Sequence, residues 1–392
     1  MKLRYAIAVV VFALVAASCG SSADNAASPA QDTPSEQETA TTTTTTEAPA
    51  DEPDESAIEA DQVEQEPAET ATSSSTTTEP PVAERPVFGP VSLEPACSGL
   101  PDVSVGLATN SLTSGGNEYE YQLRVPSAYD GSPVPVVLDF HGIGSNGGQQ
   151  AVFSGWAETG ELQGFLSVQP TGLLDPTGRP SWELPQFEDP ARDDIAFTVD
   201  LIDDLASRIC IDPARIYATG MSNGGLFTST LVCELSERIA AAVSVAGVTH
   251  HESCSPTRAV PYLAFHGTAD TVVPFNGGGE STLDDSEDAG DFFEQVIPDE
   301  FAEFADSSGC TESTDLEVTA EITLTSYTGC TDDVPLGFYT IEGGGHTWPG
   351  SAISAAIPSL GFTNTDISAT EIAWEFFNQY TLAGQVQVDA GQ

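Results

Sequence analysis

The chain has 392 residues, 60 acidic and 10 basic, for a formal charge of −50. Its one lysine is Lys2. Such a balance excludes a nucleic-acid binder, because a phosphate backbone is repelled and no basic stripe offsets it. It equally excludes charge-driven attachment to anionic membranes.

Lys2 and Arg4 precede an apolar run, residues 6–17, that is too short to span a bilayer as a mature helix. The run ends in Ala16-Ala17-Ser18-Cys19, small residues before a cysteine. Residues 1–18 resemble a bacterial lipoprotein signal peptide. The resemblance implies cleavage before Cys19 and lipidation of that cysteine; ordinary secretion with cleavage nearby is the alternative. Residues 19–85 read as a disordered acidic Thr/Pro-rich tether. From residue 20 to 85 there is no aromatic side chain, and 16 of the 60 acids lie there. A segment so polar buries too little apolar surface to offset its ordering entropy.

Residues 86–392 read as one folded domain. Residues 118–125 alternate with period two and predict a strand. Residues 134–140 are a continuous apolar strand, and 165–169 another. Residues 194–210 have helical spacing, with Ile195, Val199, Ile202, Leu205 and Ile209 on one side and Asp193 or Asp194 as the cap. A short strand at 215–218, a helix at 226–235 and strands at 241–246 and 261–265 follow. Residues 280–306 interrupt the pattern with dense acid. Phe301 and Phe304 there have the spacing to begin a short packed helix, and the part before them reads as a solvated loop. A strand at 337–341 and an amphipathic helix at 367–380 complete the series. Strands alternating with helices predict an α/β fold, a mostly parallel central sheet with helices on both faces.

Besides Cys19 there are six cysteines, an even number in a chain read as exported, which implies three disulfides. The preferred set is Cys310–Cys330 and Cys233–Cys254, which close short local loops, with Cys97–Cys210 by elimination. No cysteine spacing matches a zinc site. His250 and His251 are adjacent and are expected to face solvent.

Gly220-Met221-Ser222-Asn223-Gly224 fits G-x-S-x-G. The pattern alone is weak, but here it lies between an expected strand and an expected helix, as a nucleophile elbow requires. A serine hydroxyl needs a base, and the base needs an orienting acid. Asp270 follows an apolar strand within Phe265-His266-Gly267-Thr268-Ala269-Asp270. His346 follows another within Gly343-Gly344-Gly345-His346-Thr347-Trp348. The order Ser222, Asp270, His346 is that of α/β-hydrolases. The oxyanion hole is expected from the backbone N–H groups of Asn223 and of Ile143, the latter in the turn Phe140-His141-Gly142-Ile143. Side-chain substitution at either position is a poor test of a backbone donor. His141 is expected to brace that turn beside the substrate, and His266 to be a buried neighbour of the acid loop.

The string from Arg215 to Gly225, the His266–Asp270 loop continuing to Val273-Pro274, and the stretch from Gly343 to Gly350 resemble the polyhydroxybutyrate depolymerase and feruloyl/acetylxylan esterase group of the α/β-hydrolase superfamily. The resemblance runs roughly from residue 118 to 380. It implies Ser222 as nucleophile, Asp270 as orienting acid and His346 as base, with Trp348 and Trp182 lining the acyl or aryl pocket; by its residues alone Trp182 fits the core equally well. The acidic stretch after Asp270 is longer than that group's pattern.

The expectation is a secreted, lipid-anchored serine esterase acting through an acyl-enzyme, extracellular and monomeric. Its substrates would be hydroxybutyrate oligomers or feruloyl and acetyl esters, with no cofactor, metal or nucleic acid. A peptidase, a cell-envelope acyltransferase or a non-catalytic surface binding protein on the same scaffold are the alternatives. In residues 86–392, 44 acids face seven arginines, a balance of −37. That excess suits a salty environment, where ionic strength screens self-repulsion.

Overall fold

A computed structural model describes residues 92–185, 192–278 and 295–386. The expected signal peptide, Cys19, the tether and the loop portion of the acidic stretch, residues 280–294, lie outside the described residues.

Strands β1 (Gly106–Ser114) and β2 (Asn117–Val125) pair as an antiparallel hairpin across Gly115 and Gly116. Both glycines have positive φ, 56° and 85°. Two successive positive φ values make the tight turn whose twist matches that of the strands, and glycine adopts them without steric cost. Strand β3 (Val134–Phe140) is buried throughout, with Val136, Leu138 and Phe140 in one apolar cluster and Val137 in a second. That split is the two-residue side-chain period of a strand covered on both faces.

The chain continues through α1 (Gly147–Ser154), α2 (Trp156–Gln163), β4 (Leu166–Pro170), α3 (Asp194–Arg208) and β5 (Ile211–Met221). Then come α4 (Asn223–Glu234), β6 (Ala241–Val245), β7 (Tyr262–Gly267), α5 (Ile297–Ser307), β8 (Glu312–Thr319) and β9 (Ile322–Thr328). Strand β10 (Leu336–Ile341), α6 (Ala352–Ala355) and α7 (Ala369–Phe377) follow. The main sheet has ten strands in the order β1-β2-β4-β3-β5-β6-β7-β10-β9-β8. The six central strands, β4 to β10 in that order, run parallel, and the outer ones add antiparallel edges. Side chains of α3, α4 and α5, among them Leu201, Leu231 and Phe301, fill the first cluster. Trp156 of α2 and Trp374 and Phe377 of α7 fill the second. The mostly parallel sheet between two helical layers is the expected architecture. Among the described residues no helix is long and apolar enough to cross a membrane.

Where elements were expected, their bounds differ by a few residues. Strand β5 begins at Ile211 rather than 215, and α4 begins at Asn223, directly after the candidate nucleophile. The Asp193 carboxylate caps α3, accepting from Ala196 N–H. Helix α5 starts at Ile297 and buries Phe301 and Phe304 as expected. Strands β1, β8 and β9 and helices α1 and α2 had no counterpart in the periodicity. Strand β8 is exposed along nearly its whole length, so no apolar face marks it. Helices α1 and α2 have eight residues each and meet at Gly155, whose left-handed φ of 75° ends one and starts the other.

The three expected disulfides are present: Cys97–Cys210, Cys233–Cys254 and Cys310–Cys330. The first joins residues 113 apart and ties the segment ahead of β1 to the start of β5. Closing a loop that long restricts the unfolded chain most, worth about 4–5 kcal/mol in the loop-entropy account.

Candidate active site

The parallel strands end on one edge of the sheet, and the loops after β3, β5, β7 and β10 meet there. In open α/β sheets that carboxyl edge is where ligands bind. Ser222, Asp270, His346, Ile143 and His141 lie on or directly beside these loops, and Trp182 lies on the loop after β4.

Ser222 sits between β5 and α4 at φ 57° and ψ −125°. Few non-glycine residues adopt this backbone, and holding it costs about 1–3 kcal/mol. Packing enforces it. Ser222 N–H donates to Val245 O at 2.9 Å, and its carbonyl accepts the first helical bond, from Leu226 N–H, at 2.9 Å. Gly224 lies so close to the end of β3 that a Cβ there would collide with Phe140 O. The glycines of the motif thus let the helix start against the sheet directly after the serine, which is itself buried.

Asp270 follows β7, with its side chain fully buried. Oδ1 accepts from Val272 N–H at 2.8 Å and Val273 N–H at 2.9 Å. Oδ2 accepts from His346 Nδ1 at 2.8 Å. Burial by itself would raise the Asp270 pKa. The His346 imidazole and its hydrogen bond, with the Val273 N–H, outweigh that and hold the carboxyl below its ordinary range. An ionised carboxylate only accepts, so Nδ1 of His346 carries the proton and Nε2 is left as a base.

His346 follows β10, and backbone contacts lock its loop to the acid loop. Ala269 N–H donates to Gly344 O at 2.9 Å, and Gly343 N–H donates to Thr268 Oγ1 at 2.8 Å. A Cβ on Gly267 would collide with Gly344 O, so this close approach requires glycine.

His266 is the buried neighbour expected. Its Nε2 donates to Val273 O at 2.9 Å and lies 3.4 Å from Asp270 Oδ2. Desolvation dominates over the attraction of Asp270 and pushes its pKa down, so the ring is neutral and the contact is not an ion pair. The sequence placed His266 near the acid but did not show that two imidazoles face one carboxylate oxygen.

The turn after β3 lies against the nucleophile: a Cβ on Gly142 would sit 3.2 Å from Ser222 Cβ. Ile143 follows directly. Asn223 is the first residue of α4, where N–H groups have no helical partner. Both candidate oxyanion donors therefore flank Ser222.

Three expectations about the pocket need correction. Trp182 is 2% exposed and stacks among core rings, with Phe227 at 5.3 Å and Phe197 at 6.2 Å. Trp348 is 1% exposed, and its Nε1–H donates to Thr370 Oγ1 at 2.9 Å. Both belong to the core rather than to a pocket wall, because each is buried within an apolar cluster and an internal partner satisfies each indole N–H. His141 is fully buried and does not face substrate. Its Nδ1 donates to Gly142 O at 2.7 Å and its Nε2 accepts from Gly172 N–H at 3.0 Å, so it braces the turn. Burial pushes its pKa down to about 4, which keeps it neutral.

His250 and His251 also depart from expectation. His251 is buried, and the His250 ring packs edge-on against Phe304 of α5, centroids 4.7 Å apart. The amphipathic helix in the acidic stretch covers His250. Among the described residues, Cys233, His251 and Cys254 bring potential ligand atoms within 4.8 Å of one another. Both cysteines are committed to a disulfide, so this set does not fit a metal.

Two polar groups, one buried and one half-buried, have no counterpart in the sequence analysis. Asp139, the penultimate residue of β3, accepts from Gln150 Nε2 and Ser154 Oγ, each at 2.7 Å. The side chain of Asn223 holds the backbone of Trp182 in both directions. Trp182 N–H donates to Oδ1 at 2.7 Å, and Nδ2 donates to Trp182 O at 3.1 Å. The only available signal was the type of each residue, a carboxyl in an apolar strand and an amide beside the nucleophile.

A model of the prolyl oligopeptidase family matches residues 189–255, the stretch that contains the elbow. Feruloyl esterase B of Piromyces equi is 31% identical over 231 residues, covering 57% of this chain and 42% of that protein. Feruloyl esterase C of Emericella nidulans is 26% identical over 304 residues, covering 74% and 93%. Among solved structures, the acetyl xylan esterase from Aspergillus awamori is 16% identical with a TM-score of 0.45, covering 69% of this chain and 98% of that one. The chain spans less than half the length of the Piromyces relative.

Proposed function

We propose that this chain, which belongs to the esterase group of the α/β-hydrolases, is a serine carboxylic ester hydrolase working through an acyl-enzyme. The observation that carries the reading is the 2.8 Å bond between His346 Nδ1 and Asp270 on the same sheet edge as a strained Ser222. His346 Nε2 takes the Ser222 proton as Oγ attacks the ester carbonyl. The backbone N–H groups of Asn223 and Ile143 receive the charge on the carbonyl oxygen. The imidazolium, stabilised by Asp270, returns its proton to the departing alcohol. Water activated by His346 then releases the acid.

The names of the relatives favour feruloyl or acetyl esters over hydroxybutyrate oligomers. Three disulfides fit an oxidising, extracellular setting. Attachment through a lipid on Cys19 is part of the same reading, motivated by the small residues that precede it; metabolic labelling with a fatty acid that is lost in Cys19→Ala tests it. A peptidase is the second reading, favoured by the prolyl oligopeptidase match over the elbow.

A panel of methyl ferulate, acetylxylan, hydroxybutyrate oligomers and peptide amides decides among these. Ester turnover is expected to dominate, and Ser222→Ala is expected to lower kcat on the order of 10⁶-fold with an unchanged melting temperature. Retained turnover in that variant, or faster cleavage of amides than esters, overturns the assignment.

A further inference from the structure

We propose that loop 171–185 is a strap that positions both oxyanion donors, and that the Asn223 side chain is the latch holding it to the nucleophile elbow. This rests on the ester-hydrolase reading and assigns Asn223 a positioning role through its side chain, beyond the role of its backbone N–H.

The latch is specific in its chemistry. One carboxamide accepts from Trp182 N–H and donates to Trp182 O, so it pairs with both polar groups of a single residue. An Asp could accept but not donate, and an Ala could do neither. The same loop is bonded to the other donor's turn on both sides of Ile143. Before it, His141 accepts from Gly172 N–H through Nε2 and from Trp182 Nε1–H through its carbonyl, each at 3.0 Å. After it, Gly144 N–H donates to Pro180 O at 2.8 Å. Trp182 therefore reaches both halves of the site, Asn223 with its backbone and His141 with its ring.

The strap is bonded both within itself and to the fold. It folds back on itself, with Ser181 N–H donating to Leu173 O at 2.9 Å, and Gly172 lies so close to Ser181 that a Cβ would collide. It is anchored to the start of α3. Buried Arg192 donates to Ser181 O and pairs with buried Asp194, which also accepts from Glu183 N–H at 2.7 Å. One internally bonded segment thus sets the spacing between the two N–H groups. Donors fixed before the reaction stabilise the developing charge without reorganising.

The consequence is a selective defect. Asn223→Ala keeps its backbone N–H but frees the strap from the elbow. With short p-nitrophenyl esters, kcat is expected to fall about 10- to 100-fold, the cost of a donor misplaced rather than deleted. KM is expected to stay within about threefold, since an interaction made only in the transition state is lost. Affinity for a trifluoromethyl ketone, whose serine adduct carries the oxyanion, should fall by a factor similar to kcat. Trp182→Phe keeps the ring packing, removes the bond to His141 O and should show the same pattern. The two substitutions together should lower kcat by less than the product of their separate factors, because both loosen one strap.

Unchanged kcat and inhibitor affinity in Asn223→Ala overturn the proposal. So does a fall in kcat, KM quality and melting temperature together, which marks a structural role only. Should Asn223→Ala fail to fold, Trp182→Phe decides by the same criteria. Failure of the underlying reading is distinct: the unmodified protein would then turn over none of the esters.

Discussion

Two carboxyls are buried near the ends of parallel strands, and their surroundings push their ionisation in opposite directions. Asp139 is the penultimate residue of β3 and is fully buried with only neutral donors, Gln150, Ser154 and the more distant Gln169. Desolvation dominates over those bonds and pushes its pKa from the ordinary 3.8 up to about 7. Asp270 follows β7 and is buried almost as deeply, yet it is held below the ordinary range. The difference lies in its partners, an imidazole that can become charged and two backbone N–H groups. Burial alone does not decide ionisation; what the chain brings to each oxygen does. One carboxyl is a structural knot between β3 and α1, and the other is the candidate orienting acid beside His346.

The comparison can be broken at its functional end first. Asp270→Asn keeps the shape but presents an amide that no longer fixes the His346 tautomer. The expected loss in kcat is on the order of 10⁴, with the fold intact by circular dichroism. Loss below tenfold would mean that Asp270 is only a turn residue.

At the structural end, Asp139→Asn mimics the protonated carboxyl. A folded pKa above the unfolded one means that the wild-type contribution is fully present below about pH 4 and is lost as pH rises through 7. The variant lacks that dependence. Its melting temperature should therefore gain on wild type by at least about 3 °C between pH 5 and pH 9. A difference that does not change with pH would show that Asp139 is already ionised at pH 5 in the folded protein, as it is in the unfolded chain.

The smallest effect sharpens the account of Asp270. His266→Gln retains a donor toward Val273 O and removes the second imidazole. Because that ring is neutral, kcat/KM should fall by less than about tenfold and the acid limb of the pH–rate profile should hardly move. A large displacement of that limb would show that His266 helps to set the charge on Asp270.

The elbow was legible because its requirements are local. Gly220, Gly224 and the strand–turn–helix context are all within one short string, and close packing allows no side chain at Gly224. The order Ser222, Asp270, His346 followed from strand ends that the apolar runs at 261–265 and 337–341 marked. The two short disulfides followed from spacing, and the third from arithmetic. Gly115-Gly116 marks the β1–β2 turn, but β1 carries too few buried side chains to show a period. The exposed strand β8 left no such period either.

By itself, then, the amino-acid sequence determined the layered fold and singled out the candidate nucleophile and acid–base pair. Each depends on periodicity, glycine placement and chain order, which are properties of contiguous residues. Tertiary structure alone decided which aromatics are core, which histidines are neutral and what the Asn223 amide holds. Trp182 and Trp348 look like pocket residues until helices from elsewhere in the chain cover them. Protonation at His141, Asp139 and Asp270 depends on desolvation and on partners up to 76 residues away, as His346 is from Asp270. Those terms exist only once distant segments share one interior, where the low dielectric makes each unpaired charge costly and each paired one specific.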